Sequence, residues 1–365
     1  MWSTRFARLG LGCLLSAGTL GCNKGNGGDG GFTSTGIGTS GATTGDGEDG
    51  DSIGEDGDSI GDNGDGPLLD VASGGDDGIM PMEGCRGVDF LFVIDNSASM
   101  DDEQSNLLSS FPGFVQAMQG ALQDSAQSFR VMVVDTDGIG AACVPICEMF
   151  PTGFCNGISC EGEQCEIRVG GGNITDRTTN MDCGLPGGKR YADSDETSIA
   201  SAFNCTARVG ASGSGIELVA DSMLTALSPD YVGAGGCNAD FLRDDAVLVV
   251  TLITDEDDAG TDPYFTSPGD PASWYNDLSA IKNYEPNSIV MLGLLGDTDE
   301  PDGLCQPYDE GTGDGAEQAT RLREFVGNFG AQGLTGSVCA PNYTDFFNQA
   351  VELIDTTCDD FVPPG

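Results

Sequence analysis

V-D-F-L-F-V-I-D-N-S-A-S-M, residues 88–100, is an apolar run that ends in one acid and two hydroxyls. Phe90 to Ile94 have the length and the β-branched or aromatic character of a parallel strand covered on both faces. In open α/β sheets, ligands bind just past the carboxyl ends of such strands. Asp95, Ser97 and Ser99 would offer a carboxylate and two hydroxyls to a single point there. These are hard oxygen ligands suited to Mg²⁺, Mn²⁺ or Ca²⁺. The same turn also suits a simple polar cap on the next helix, and this motif alone leaves both readings open.

A second segment, A-V-L-V-V-T-L-I-T-D-E-D-D at 246–258, is another apolar strand running into acid, with Asp255 just after it. Two strands that end this way suggest one site assembled from separate loops. In this pair of motifs the chain resembles the von Willebrand factor A family, over about Cys85 to Cys358. That family carries D-x-S-x-S after its first strand and T-D after its fourth, which together form a metal-ion-dependent adhesion site. The resemblance implies that Ser97 and Ser99 bind the cation directly, with Asp95 and Asp255 near it, often through water. It also implies an open coordination position for a carboxylate of a protein partner, and Mg²⁺ as the first choice of ion, with Ca²⁺ or Mn²⁺ as alternatives.

The family's third loop normally supplies a threonine before a helix rich in small residues. The matching stretch is R-V-G-A-S-G-S-G-I-E-L, residues 208–218, where Ala211 stands in that place. Ser212 is the expected substitute, with Ser214 and Thr206 as the other candidates. S-M-x-D-[DE] also resembles the adjacent second metal site of integrin β-subunits, which would use Asp102 and Glu103. The competing reading takes Asp101, Asp102 and Glu103 as acids favoured by the helix macrodipole.

Composition limits what such a site does. The chain has 365 residues, with 59 acids, 14 bases and a formal charge of −45, so it repels nucleic acid and anionic lipid surfaces. It contains no histidine, which removes Ser-His-Asp and Cys-His catalysis and every His-ligated zinc. Carboxylate pairs of the glycosidase kind remain, but acids are so abundant that a pair is easily incidental, and a non-enzyme is expected. Two carboxylates about 4 Å apart repel by roughly 4 kcal/mol at an effective dielectric near 20. A divalent cation among clustered acids should therefore also stabilise the fold.

Residues 1–22 read as a targeting segment, with Arg5 and Arg8 ahead of the apolar stretch Leu9 to Leu20. Its end, T-L-G-C, resembles the lipobox of bacterial lipoproteins, with Cys22 as the acylated residue and Thr19 at the usual leucine position. An ordinary secretory signal is the alternative. Residues 23–84 are rich in Gly, Asp, Ser and Thr, with E-D-G-D-S-I-G repeated at 48–54 and 55–61. Such a segment buries too little apolar surface to offset its ordering entropy and reads as a solvated linker. The D-x-D-x-D-G spacing and closing Glu of calcium loops are absent from it.

Beyond Cys13 and Cys22, 12 of the 14 cysteines lie between Cys85 and Cys358. In an oxidising compartment they would pair as disulfides, and Cys85 with Cys358 would join the two ends of the domain. Past residue 85, strands and helices alternate. The expectation is an α/β fold: a doubly wound, mostly parallel sheet with helices on both faces over residues 85–365, with a cysteine-rich insertion at about 138–200. The functional expectation is an exported module, lipid-anchored to the bacterial outer membrane, that binds an acidic protein ligand through a divalent cation. The alternative is a structural envelope lipoprotein in which cation and disulfides only stabilise the fold.

Overall fold

The computed structural model describes residues 84–121, 128–136, 165, 169–194, 198–211, 213, 217–258, 266–309 and 314–364. Three strands carry the centre of the sheet: β1 (Gly87–Ile94), β6 (Ala246–Thr254) and β7 (Ile289–Leu295), each buried at every position. Such continuous apolar runs are stable only where both faces of the sheet are covered. The remaining strands are β2 (Ser128–Asp135), the two-residue strands β3 (Thr175–Asp176), β4 (Met181–Asp182) and β5 (Ala192–Asp193), and β8 (Gly333–Ser337).

The main sheet has the order β5-β2-β1-β6-β7-β8, parallel throughout except for β5, which runs antiparallel to β2. From β1 the chain winds outward first through β2 and then, in the other direction, through β6. Strand order therefore reverses between β1 and β6, and a crevice opens past their carboxyl ends. β3 and β4 form a separate hairpin.

Among the described residues, six helices of eight residues or more cover the sheet: α1 (Asp101–Ala121), α2 (Ile199–Thr206), α3 (Val219–Ala226), α4 (Pro271–Ile281), α5 (Thr320–Gly327) and α6 (Thr344–Asp360). Alternation along β1 divides the core into two layers. Phe90, Phe92 and Ile94 pack with Phe111, Phe203 and Phe347 from α1, α2 and α6. Leu91 and Val93 pack on the other face with Met223, Trp274 and Phe325 from α3, α4 and α5. The period of two along a strand makes each layer. α1 runs as one helix with Pro112 inside it.

At the amino ends of the strands, Asp89 is buried against Arg243. Its carboxylate accepts bonds from Nε at 2.8 Å and from the Arg243 backbone N–H at 2.8 Å, with the guanidinium NH2 at 2.6 Å. Burial pushes the Asp89 carboxyl up, and Arg243 pulls it back. Four disulfides close the described chain: Cys85–Cys358, Cys165–Cys237, Cys183–Cys205 and Cys305–Cys339. The first joins the start of β1 to the end of α6. They fit an oxidising compartment.

Part of the stretch read as an insertion belongs to the sheet. Ala192 and Asp193 pair with Val131 and Arg130 to form its edge, and Cys183–Cys205 ties the segment after the β3–β4 hairpin to α2. The insertion's cysteines 143, 147, 155 and 160 lie outside the described residues, as do the proposed signal, Cys22 and the linker up to residue 83. Among the described residues, no helix is long and apolar enough to cross a membrane.

Candidate metal centre

The loop after β1 and the loop after β6 meet at the crevice. Asp95 is fully buried; its Oδ1 accepts the Ser97 backbone N–H at 2.7 Å and its Oδ2 accepts the Thr254 hydroxyl at 2.7 Å. The first bond folds the Asp95–Ser97 turn, and the second fastens it to the end of β6. The Ser97 and Ser99 hydroxyls then lie 3.0 Å apart. Ser97 is buried and Ser99 half-buried, so the hydroxyl pair opens outward through Ser99.

Asp255 faces this pair. It is 1% exposed, and among the described residues neither of its carboxylate oxygens has a partner in hydrogen-bond geometry. Burial and the neighbouring Asp95 charge push its pKa up to about 7, with the Ser99 hydroxyl close enough to pull it back. Burial also raises Asp95, against the bonds from Thr254 and Ser97. Glu217 lies within hydrogen-bonding reach of Asp95, and it also accepts a bond from the Thr136 hydroxyl. Two buried carboxyls at that range require a shared proton or a cation between them.

Asp102 and Glu103 start α1 beside the same crevice. Asp102 is exposed, whereas Glu103 is 6% exposed with an unpartnered Oε2 among the described residues. Burial, with Asp102 and Asp255 adding like charge, pushes Glu103 up to about 8. Glu256, half-buried, is pushed up to about 8 by burial and by the charges of Asp95, Asp255 and Glu317. Glu317 is held there by its backbone N–H, which donates to the Asp255 carbonyl at 2.7 Å.

The third loop reaches the site through its backbone. Gln104 donates to the Gly210 carbonyl at 2.6 Å and to the Asp95 carbonyl at 3.3 Å, and the Gly213 N–H donates to the Asn96 carbonyl at 2.8 Å. A Cβ on Gly213 would lie 2.2 Å from Asn96 Oδ1, so any larger residue there has to push the Asn96 amide aside. Ser212 and Ser214 lie outside the described residues. The Thr206 hydroxyl is engaged within α2, donating to the Ala202 carbonyl at 3.1 Å.

The acidic run after β6 divides by role. Asp257 accepts the Arg321 and Leu322 N–H groups at 3.1 Å each, capping α5. Asp258, buried, accepts the Ala220 N–H at 2.9 Å and the Ser267 N–H at 2.7 Å, fastening the start of α3. Only Asp255 and Glu256 turn to the crevice. Sequence reasoning missed Glu217, Glu317 and Gln104 as neighbours of the site. Glu217, a single acid between Ile216 and Leu218, carried the one readable signal.

Among the described residues, no three acidic or cysteine side chains form a metal-binding group. The candidate set here is different in kind: two hydroxyls, Asp95 and the two unpartnered oxygens of Asp255. That set fits a hard divalent cation, which prefers oxygen ligands and would satisfy buried carboxylates lacking donors.

No family model and no curated protein matches the chain. Among solved structures it is similar to proximal thread matrix protein 1 from the mussel byssus, at 12% identity over 74% of this chain and 49% of that chain, TM-score 0.35. A structure of the same mussel protein with a zinc-occupied MIDAS motif matches at 12% identity over 74% and 49%, TM-score 0.30. The pilus adhesin SpaC from Lactobacillus rhamnosus GG, in its open conformation, matches at 12% identity over 75% and 30%, TM-score 0.37. The chain thus spans about half the length of the mussel protein and under a third of the adhesin. The fold assignment rests on strand order and register, not on these distant likenesses.

Proposed function

We propose that the chain is a binding module of the von Willebrand factor A type, which holds a divalent cation and through it an acidic group of a protein partner. The observation that carries this reading is Asp255: a nearly sealed carboxylate with no partner in hydrogen-bond geometry among the described residues, beside Asp95 and facing the Ser97–Ser99 pair. Ser97, Ser99, Asp95 and Asp255 would hold the ion, with Ser212 as the third-loop ligand and Asp102 and Glu103 at an adjacent second site. When bound, Mg²⁺, or Ca²⁺ or Mn²⁺, supplies a Lewis-acidic position for a partner carboxylate. The residues themselves orient the ion: Thr254 and the Ser97 N–H fix Asp95, and Glu317 fixes the Asp255 backbone. Binding rather than catalysis is favoured because Asp95 and Glu217, a carboxyl pair within hydrogen-bonding reach, are both buried away from a substrate.

Melting the chelated chain with added MgCl₂, MnCl₂ or CaCl₂ tests the site. An ion at one hundred times its Kd adds about 2.7 kcal/mol, a rise in Tm of several degrees. Asp255→Asn should abolish that rise and should itself melt above the parent in chelator at pH 8, because it removes an uncompensated buried charge. Equal Mg²⁺ shifts in parent and variant would sink the assignment. A cation that raises Tm but leaves capture of acidic proteins from envelope extract unchanged would favour the structural envelope role instead.

Export and anchoring through acylated Cys22 to the bacterial outer membrane complete the proposal. Each buried CH₂ of an acyl chain contributes about 0.8 kcal/mol, so Cys22→Ser should move the protein from membrane pellets to the soluble exported fraction. Unchanged pelleting in detergent-free fractionation would rule out lipid as the anchor.

A further inference from the structure

At the amino end of β7, on the sheet edge opposite the candidate metal centre, lies a cleft of about 170 Å³ lined by Tyr275, Tyr284, Glu285, Asn287, Phe329 and Gln332 among others. Drug-sized sites run to about 300–1,000 Å³, so this one has room for a single small group. Two walls are aromatic: the Tyr275 and Phe329 rings meet at 71° with centroids 4.9 Å apart. The amides of Gln332 and Asn287 are bonded to each other, and Asn287 donates on to the Asp360 carbonyl at 3.4 Å. Those two side chains are therefore committed to the framework.

The uncommitted groups are of another kind. Among the described residues, the Tyr275 and Tyr284 hydroxyls and the Glu285 carboxylate have no hydrogen-bond partner. Tyr284 is 65% exposed and takes a left-handed backbone, φ 57°, directly after Asn283 at φ 55°. The pair closes α4, with the Tyr284 N–H donating to the Ser279 carbonyl at 2.8 Å. Glycine is the usual residue for such a helix end, and a bulky residue there costs on the order of 1 kcal/mol or more. Burial of the ring does not offset that cost, because the ring stands in solvent at the cleft.

The charge at the cleft is also one-sided. Glu285 is its single charged lining residue. The nearby Lys282 turns inward, donating to the Arg243 and Ala246 carbonyls at 2.7 and 2.9 Å. In a chain of charge −45 this cleft repels anions and attracts cations. Aromatic faces with a carboxylate beside them are the environment that favours an organic cation over a neutral group of the same shape.

We propose that this cleft is a binding site for an alkylammonium group, held against the Tyr275 and Phe329 rings, flanked by Tyr284 and neutralised by Glu285. The site is independent of the metal centre, and its test requires no divalent ion. The full chain is titrated with tetramethylammonium chloride and, separately, with tert-butyl alcohol, a neutral group of similar shape, and binding is read by calorimetry. Tetramethylammonium should bind at least about tenfold more tightly than the alcohol, and Tyr275→Ala and the near-isosteric Glu285→Gln should each weaken it by about three- to tenfold. Tyr284→Gly separates strain from recognition. It should raise Tm by about 2–4 °C, since glycine takes the left-handed region freely, and should weaken tetramethylammonium binding.

Two further probes distinguish the source of the group: Nα-acetyl-lysine amide represents a protein side chain and phosphocholine a lipid head group. Preference for either supports the site and names its ligand. Equal binding of tetramethylammonium and tert-butyl alcohol, or unchanged affinity in a folded Glu285→Gln chain, would overturn it. A Tyr284→Gly chain that melts higher yet binds as tightly would remove Tyr284 from the site.

Discussion

Replacing Arg243 with methionine should destabilise the domain by about 3–5 kcal/mol, the usual cost of leaving one member of a buried ion pair without its partner. Asp89 is 1% exposed and receives the Arg243 guanidinium and backbone N–H on its two oxygens. Arg243 also donates to Ser128 and to the Val88 carbonyl, so it joins the amino ends of β1 and β2. Spread over a domain of this size, the loss corresponds to a drop in Tm of roughly 10 °C. The cost comes from the stranded carboxylate, not from missing attraction. Asp89→Asn in the same chain should therefore recover a large part of it. Burial raises the Asp89 pKa, so the single variant should also regain stability as pH falls through that value. A single variant within 1 kcal/mol of the parent, or a double variant no better than the single, would contradict this account.

The parts of the fold that were readable in the sequence are those whose physics is local. Phe90 to Ile94 and Ala246 to Thr254 are apolar without interruption, because both faces of those strands are covered. Asp95 and Asp255 could be placed from the sequence because each follows such a run directly. The edges of the sheet left no comparable signal. β5 is two residues long, and β8, G-L-T-G-S, is half-exposed and mostly small or polar, so neither carries the apolar run that marks the central strands. α3 begins at Val219, after the glycine-rich stretch, where the small residues no longer interrupt the apolar spacing.

The division of labour among Asp255, Glu256, Asp257 and Asp258 could not be read for a different reason. Four adjacent acids look alike in sequence, and their partners lie far along the chain. Asp257 caps a helix 64 residues later, and Asp258 fastens one 38 residues earlier. Those two carboxylates have donors and need no ion. Among the described residues Asp255 has none in hydrogen-bond geometry, and that difference separates a candidate ligand from a helix cap.

In chelator, the domain should lose stability as pH rises from about 4 to about 8. The unfolded values near 3.8 and 4.5 rise on folding to about 7 for Asp255 and about 8 for Glu103 and Glu256. Between the two sets of values the folded chain holds protons that the unfolded chain has released, so stability falls with pH. The contribution is complete below the unfolded values and gone above the folded ones. At about 1.36 kcal/mol per pKa unit, Asp255 alone accounts for on the order of a few kcal/mol. Saturating Mg²⁺ should flatten or reverse the slope, because an ion replaces protons among the same carboxylates. Mg²⁺ affinity should rise over the same window, and binding near pH 7 should release protons, measurable by calorimetry in buffers of different ionisation heat. Self-repulsion in a chain of charge −45 also opposes stability at high pH. The Asp255→Asn chain helps to separate the two, since it keeps nearly all of that charge and loses the Asp255 share of the local term. A Tm in chelator that stays level or climbs from pH 5 to pH 8 would show that these carboxylates are not the strained cluster from which the metal site is inferred.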